Sequence, residues 1–496
     1  MEEHPADEPA HRGRQVIEGE VPDESGLVSD RARASSNRNA TRAQDIVRVP
    51  VMLGVLLGMT TLGSTGVPLV LPTIAHHFDV GFGDAAWMVT SCALLIAVGA
   101  AIYGRLADLF GIRIPFLIGM VLYVAGSVGA VVAPTFGLLL VARIAHSMGA
   151  AALPVLIPAL ITGLFEGEAR QRALARSHAI AIVLGALGPV LGGVIGGLLG
   201  WRAVMALPLL GAPAFVVLWR WLNLRGTGAR FDVVGAVLVS VAAAGAVLIL
   251  QSAASGLMAA CAGVALLLLC LPFVVVHVRR HPDGFLPLLV VRNRLIRRSA
   301  LGASPVIAAW FTLLITVPAA LASQGRPSWT VGLFLLPGFL VALTMPRLVS
   351  RMLVELGAYR SLLLAAATAT LALGLAVAGD LVDSSGALAP ILLVAAFCLI
   401  ILAISLGPPA LASAVAGAVD ARVRGVALGT SNLMFAVGGS LGAAVVGGLV
   451  EPLGTAAAVG LVAAASGVGL VSLSISRRVS RDGATMRGSI IELETS

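Results

Sequence analysis

The sequence predicts an all-α polytopic membrane protein with fourteen transmembrane helices, and three observations carry that expectation. The 496-residue chain is 58% hydrophobic and only 12% charged. Its apolar residues fall in repeated runs of roughly twenty, the length a helix needs to cross about 30 Å of hydrocarbon. Its 33 basic residues, all arginine, gather in the short segments between those runs, and such positively charged loops stay on the cytoplasmic side.

Residues 1–49, beginning MEEHPADEPAHRGRQ, are polar, mixed in charge and without the apolar stretch of a cleavable signal peptide, so they read as a disordered cytoplasmic tail. Six spans follow near 50–73, 84–104, 115–133, 136–164, 174–199 and 202–222, making an N-terminal half over residues 50–222. Two more, near 233–252 and 257–278, occupy the central segment 223–298. That segment ends in FLPLLVVRNRLIRR, whose apolar body and arginines suit an interfacial stretch on the inner leaflet. The last six, near 299–322, 329–347, 360–379, 387–413, 424–449 and 454–475, make a C-terminal half over 299–475, and 476–496 is expected to be a cytoplasmic tail.

The arginines test this count. They occupy alternate loops, from Arg105 and Arg113, through Arg170, Arg172 and Arg176, to Arg422 and Arg424, and only Arg202 and Arg326 fall on the other side. A missed span would invert every later loop. An even count is therefore expected, with both termini cytoplasmic and the chain multi-pass in a plasma (inner) membrane.

The same distribution turns the net charge of +8 into a statement about topology, so no nucleic-acid partner is expected. Cys92, Cys261, Cys270 and Cys398 lie inside apolar runs without paired or metal-ligand spacing. They read as small core residues, with no disulfide and no zinc. There is no H-E-x-x-H, which argues against an enzyme, and no cofactor is expected. The polar tails are too short for the folded domain of a membrane sensor. The expected partners are a small-molecule substrate and the lipid bilayer, with protons as a second cargo, and the expected state is a monomer.

Four stretches carry more specific information. GRLADLFGIR, residues 104–113, falls between spans two and three, where its glycines permit a tight turn and Asp108 can pair with Arg113 or cap a helix. VARIAHSMGAAALP, residues 141–154, places Arg143 inside span four with His146 three residues on, hence on the same helix face. A charge at that depth is costly and marks a functional candidate. A histidine in a span is more often a hydrogen-bonded packing residue than a proton carrier. In span five, GALGPVLGGVIGGLLGWR repeats glycine at 188, 192 and 196, giving a smooth face, and Pro189 frees one backbone carbonyl. Finally, MPRLVSRMLVELGAYRS, residues 345–361, reads as a worn second copy of the 104–113 stretch, as an internal repeat requires.

Together these stretches resemble the major facilitator superfamily, and in particular its fourteen-span drug:proton antiporter branch. Gly104, Leu106, Asp108, Gly111 and Arg113 match the family's loop signature, Arg143 matches its span-four arginine, and Gly188, Pro189, Gly192 and Gly193 match its span-five G-P-x-x-G-G. His146 and Ser147 stand where the family has glutamine and glycine. The resemblance implies two six-helix halves plus two extra central helices, with alternating access to a site between the halves. It also implies a conformational latch at Asp108, and a span-five face that meets the opposite half. The implied activity is export of a drug-like, lipophilic or metabolite molecule, coupled to protons by antiport, with an uncoupled facilitator or a non-transporting sensor as alternatives.

One departure bears on the coupling. The family's span-one aspartate falls at Gly63 of LGSTGVPLVLP, its asparagine at Pro68, and no Asp or Glu lies centrally in any span. Coupling through Asp84, Asp108 or His146 therefore stays open beside no coupling at all. Without a membrane-depth carboxylate, and with Arg143 present, neutral, lipophilic or anionic substrates are expected. Thr61, Ser64, Thr65, Arg143, His146, Trp310 and Asn432 are the cavity candidates.

Overall fold

The computed structural model describes residues 47–222, 232–281, 292–382, 386–417 and 424–494, with Gly284, Leu288 and Val419 as isolated positions. The expected N-terminal tail up to residue 46 and most of 285–291, the first part of the expected interfacial stretch 285–298, lie outside the described residues. From Arg294 the chain is already in the helix that becomes span nine.

Among the described residues, fourteen helices are long and apolar enough to cross a membrane, so the chain is a multi-pass membrane protein. In the first half they are Val47–Phe78, Phe82–Gly104, Arg113–Val132, Phe136–Leu164, Gly167–Leu199 and Trp201–Trp221. Val233–Ala253 and Leu257–Arg280 are the central pair, and Ile296–Ser323, Ser328–Leu356, Ala358–Leu381, Leu388–Ala416, Ala427–Leu453 and Thr455–Ser474 complete the bundle. The last helix continues beyond its span to Glu494, through the region expected to be a tail. The odd-to-even turns gather at one end of the bundle, here called the Trp201 end, and the even-to-odd turns at the other, the Arg113 end.

Three spans are interrupted at prolines, while others, such as span five at Pro189, run on through theirs. Span one passes through a 3-10 turn at Val67–Val70, span four is interrupted between Ala150 and Leu153, and span six bends through Leu207–Gly211. Each break falls at a proline, Pro68, Pro154 and Pro208, which cannot donate the helical hydrogen bond.

Buried apolar side chains form separate clusters. One joins Leu53, Phe116, Tyr123 and Leu156 within the first half, and a large one joins Val306, Leu313, Ala369 and Phe397 in the second. A third, toward the Trp201 end, unites Val67, Met88 and Trp201 with Ile315, Ala443 and Val446 of the second half. Span seven packs on spans two and thirteen, whereas span eight packs chiefly on span seven and is almost wholly exposed. That peripheral position corrects one expectation: Cys261, on span eight, is exposed rather than a core residue, while Cys92 is buried and Cys270 and Cys398 are half-buried.

The 104–113 stretch is also corrected. Span two's helix continues from Phe82 to Phe110, so Gly104 is helical and only Gly111 and Ile112 form the turn before the next helix at Arg113. Gly111 has φ 77° and ψ 179°. Gly357, in the second copy, has φ 75° and ψ 163° at the same place between two helices. That region of backbone space is essentially closed to residues with a side chain, and Gly200 and Gly256 take it at two further turns between helices, so glycine is what these tight turns share.

Candidate functional site

The chemistry of the first half gathers around span four. Gly126 of span three lies so close to it that a methyl group there would sit 2.2 Å from His146 N, and one on Gly149 would sit 2.3 Å from Tyr123 N. Small residues thus let two backbones touch, and the larger side chains beside them point into the bundle. Arg143 is 2% exposed and His146 1%. The His146 ring lies 4.8 Å from the Tyr123 ring, and its Nδ1 is 2.8 Å from Ser127 Oγ.

The hydrogen bonds fix which nitrogen carries the proton. Ser127 Oγ donates its single hydrogen to Tyr123 O at 2.7 Å, so it accepts from His146 Nδ1–H. Neutral His146 therefore presents a bare lone pair at Nε2, and that atom is buried without a partner. Arg143 Nε is likewise buried with no hydrogen-bond partner, and no ion pair to Arg143 occurs among the described residues. Burying a guanidinium at membrane depth costs about 3 kcal/mol or more, the reason such residues ordinarily meet a partner or water.

Pro208 occupies the space that a side chain at position 63 would need. Its carbonyl accepts the Tyr123 hydroxyl at 2.8 Å, and its ring fills the space beside span one. A Cβ on Gly63 would sit 2.3 Å from Pro208 Cγ. The place where the resemblance put an aspartate is occupied by a proline ring.

The cavity candidates on span one separate into different roles. Thr65 is buried and donates to Gly185 O at 2.7 Å, shorter than its 3.0 Å approach to Thr61 O and 3.3 Å to Leu62 O. Gly185 is four residues before Pro189, so this is the carbonyl that the proline leaves without a donor. Thr61 bonds Leu57 O, and Ser64 bonds Thr60 O while Cys92 Sγ lies 3.9 Å from its hydroxyl. Both Thr61 and Ser64 are half-buried. In the second half, Trp310 packs on Phe397 at 6.3 Å between ring centres, and Asn432 is exposed on span thirteen. The structure does not bring these two to Arg143 and His146 by any bond or ring contact among the described residues.

Span five uses its glycines on two faces, which changes the expectation that the 188–192–196 face meets the opposite half. Methyl groups on Gly188, Gly192 and Gly196 would collide with Thr65, Gly66 and Val70 of span one, in the same half. The neighbouring face meets the other half: a Cβ on Gly193 would lie 2.6 Å from both Gly332 Cα and Ser328 O, and one on Gly197 would lie 2.9 Å from Trp329 N.

A second contact between the halves closes the same end. Glu451, at the end of span thirteen, accepts from Gly83 N at 3.1 Å in the first turn of span two. Asp84 stands beside it, since a methyl on Gly81 would sit 3.1 Å from Glu451 Oε1 and 3.7 Å from Asp84 Oδ2. At the opposite end, Arg113 lies over the Trp219 ring at 4.3 Å, and the side chain of Asp108 lies outside the described residues. Sequence reasoning missed Tyr123, Ser127, Pro208 and Glu451. Tyr123 left a signal, as one of only three tyrosines in the chain and one set inside an apolar span.

The family model of the Major Facilitator Superfamily matches residues 52–385. The chain belongs to the Major Facilitator Superfamily. Relatives within it include the uncharacterized MFS-type transporter YwoD of Bacillus subtilis, 37% identical over 95 residues, 19% of this chain and 21% of that one. Multidrug resistance protein Stp of Mycobacterium tuberculosis is 38% identical over 105 residues, covering 21% of this chain and 20% of its own length. The lincomycin resistance protein of Streptomyces lincolnensis is 33% identical over 127 residues, 26% of each chain. The chain thus spans about a fifth to a quarter of the length of these relatives. Among solved structures, the peptide transporter POT in complex with sulfate superposes with a TM-score of 0.65 at 19% identity, over 88% of this chain and 95% of that one. That likeness concerns the fold.

Proposed function

We propose that the protein exports a small molecule across the plasma (inner) membrane by alternating access. Its two six-helix halves rock so that the interior opens first at the Arg113 end, taken as cytoplasmic from the arginine-rich loops, and then at the Trp201 end. The observation that carries this reading is Arg143, a charge buried in span four whose Nε has no hydrogen-bond partner among the described residues. A fold gains nothing in stability from such a group, so its place is best accounted for by something that visits it. The contacts closing the Trp201 end support the motion, since glycine faces without interlocking side chains can part and re-form. The resistance named in two relatives supports a drug-like or metabolite cargo, and the absence of a central carboxylate favours neutral, lipophilic or anionic molecules over cations.

Two coupling modes follow from different observations. The antiporter signature at Gly188, Pro189, Gly192 and Gly193 favours proton antiport, with Asp84, Asp108 or His146 as carrier. The Pro208 ring beside Gly63 favours an uncoupled facilitator. Accumulation of a panel of neutral, anionic and cationic dyes, in cells carrying wild type, Arg143→Ala or no transporter, tests the main reading. Wild-type cells are expected to retain less of the neutral and anionic dyes. Equal retention in all three lines across the panel overturns export. A pH-sensitive dye inside proteoliposomes then separates the modes, as antiport moves protons against the cargo and a facilitator moves none against it.

A further inference from the structure

We propose that Arg143 and His146 form a binding site for one anionic group taken up together with a proton, the group being a substrate's carboxylate or a free halide ion. The inference deepens the transport reading, because it names what visits the buried charge. It stands on two orphaned atoms one helical turn apart. Among the described residues Arg143 Nε–H is a donor with no acceptor and His146 Nε2 an acceptor with no donor, both on side chains at least 98% buried. The Ser127 bond holds the imidazole with Nδ1–H turned away, so Nε2 is the atom left to receive a proton.

A carboxylic acid complements this pair atom for atom. Its carbonyl oxygen accepts from Arg143 Nε–H, and its O–H points to His146 Nε2, where the proton either remains on oxygen or passes to nitrogen as N–H forms and O–H breaks. In both arrangements the site keeps the single positive charge it has when empty, so no additional net charge is buried. An anion alone would leave Nε2 without a donor, and a proton alone would place two positive charges side by side. The two therefore enter as a unit. The substrate's own carboxyl supplies the acid that Gly63 does not, and the proton travels with the cargo instead of against it.

Among the described residues nothing in the surroundings would substitute. The titratable groups facing His146 are Arg143 on its own helix and Tyr123 on span three, and Cys92 on span two faces Arg143. Tyr123 is committed to Pro208 O and its ring lies tilted against the imidazole, and the groups supplied by spans one and six are hydroxyls and carbonyls. Cys92 interacts with Arg143 and lies 3.9 Å from the hydroxyl of half-buried Ser64, so the Ser64 side is the proposed approach of the ligand to the guanidinium.

Calorimetric titration of the detergent-solubilised protein tests the assignment, using benzoate, benzamide and chloride as probes, near neutral pH. Running each titration in two buffers of different ionisation enthalpy gives the protons taken up per ligand bound. Benzoate or chloride is expected to bind with uptake of about one proton, and benzamide to bind at least tenfold more weakly. Chloride binding without benzoate binding assigns a free ion, and benzoate binding assigns the substrate's carboxyl. Arg143→Gln should lose at least tenfold in affinity. His146→Gln, which restores the family's residue, should keep anion binding and lose the proton uptake, a change that a merely structural role would not produce. Ligand-free melting curves identify any variant that fails to fold, and His146→Gln then carries the test alone. Equal binding of benzamide and benzoate, anion binding without proton uptake in wild type, or no binding of either anion overturns the site and leaves an ordered water in its place. Those outcomes leave export standing, whereas dye retention equal in all cell lines removes export without touching the titration.

Discussion

The two halves share a fold and differ in where they bury polarity. The first half places Arg143, His146, Tyr123, Ser127 and Ser147 inside its bundle. The second half buries an apolar cluster of alanines, leucines and valines, relieved by hydroxyls such as Thr312, Thr316 and Ser361. Hydroxyls on a helix can bond their own preceding turn, as Thr316 does to Thr312 O, and so ask nothing of a ligand. A buried guanidinium cannot be satisfied that way. On the proposed reading the halves are unequal partners: the first would hold the site, and the second, whose buried unpartnered polar atom among the described residues is the Ser299 hydroxyl, would supply the counterface at one end.

Span five sits on the border between these roles, and its two glycine faces give the largest expected contrast. Gly192 meets the backbone of Gly66 within the first half, at 2.5 Å from its carbonyl oxygen for an added Cβ. Gly192→Leu is therefore expected to unfold or grossly destabilise the half, beyond the roughly 1–3 kcal/mol of ordinary overpacking, and to lower the yield of monodisperse protein severalfold. Gly193→Leu presses on Gly332 and Ser328 across the seam. It should leave the yield near wild type while parting the Trp201 end, so that a cysteine introduced at Val331, 1% exposed, becomes reactive to a membrane-impermeant maleimide. If the two leucine variants behave alike in both assays, the division of span five into an internal and a cross-half face is wrong.

The next effect concerns the missing aspartate. Gly63→Asp forces a Cβ against the Pro208 ring and is expected to lower stability by about 1–3 kcal/mol as an overpacking change, with the burial of a carboxyl added to it. Pro208→Ala combined with Gly63→Asp should recover part of that loss, because the colliding ring is gone. Melting temperatures in detergent read both. A single variant as stable as wild type would show that the ring moves aside freely and that the structure does not exclude a carboxylate there.

Thr65 gives a smaller change. Thr65→Val keeps the shape and removes the donor from Gly185 O, which should cost about 1–3 kcal/mol as a buried carbonyl left unpaired. Thr65→Ser should stay within a few tenths of wild type. Equal losses for valine and serine would mean that the methyl group, packed in the span-one to span-five interface, matters more than the bond.

Much of this architecture is legible in the sequence. Runs of apolar residues and alternating arginines gave the count of spans, because lipid leaves a helix no choice but to be long and apolar and leaves loops as the place for charge. Arg143 and His146 were visible for the same reason, as polar residues where lipid penalises them. The partners were not. That Thr65 serves Gly185, that Pro208 fills the place beside Gly63, and that Gly193 rather than Gly192 faces the other half all depend on helix rotation. Rotation is set by tertiary packing between residues more than a hundred positions apart, and a periodic run of glycines is compatible with several rotations. Glu451 escaped notice because an acid at the end of a span looks like ordinary surface until the helix it caps is known.

Glu451 also supplies the finest test of the comparison, since it is a polar contact across the seam. Its carboxylate meets Gly83 N–H in the first turn of span two, where a helix N-terminus favours negative charge by about 0.3–1 kcal/mol. Glu451→Gln keeps an oxygen able to accept that bond and removes the charge, so the expected loss is at most about 1 kcal/mol, equivalent to a fewfold shift toward the state open at the Trp201 end. The same maleimide reaction at Val331→Cys should quicken by that factor in Glu451→Gln and by more in Glu451→Ala. An unchanged rate in both would place the seal entirely in the Gly193 and Gly332 contact, with the second half contributing shape alone.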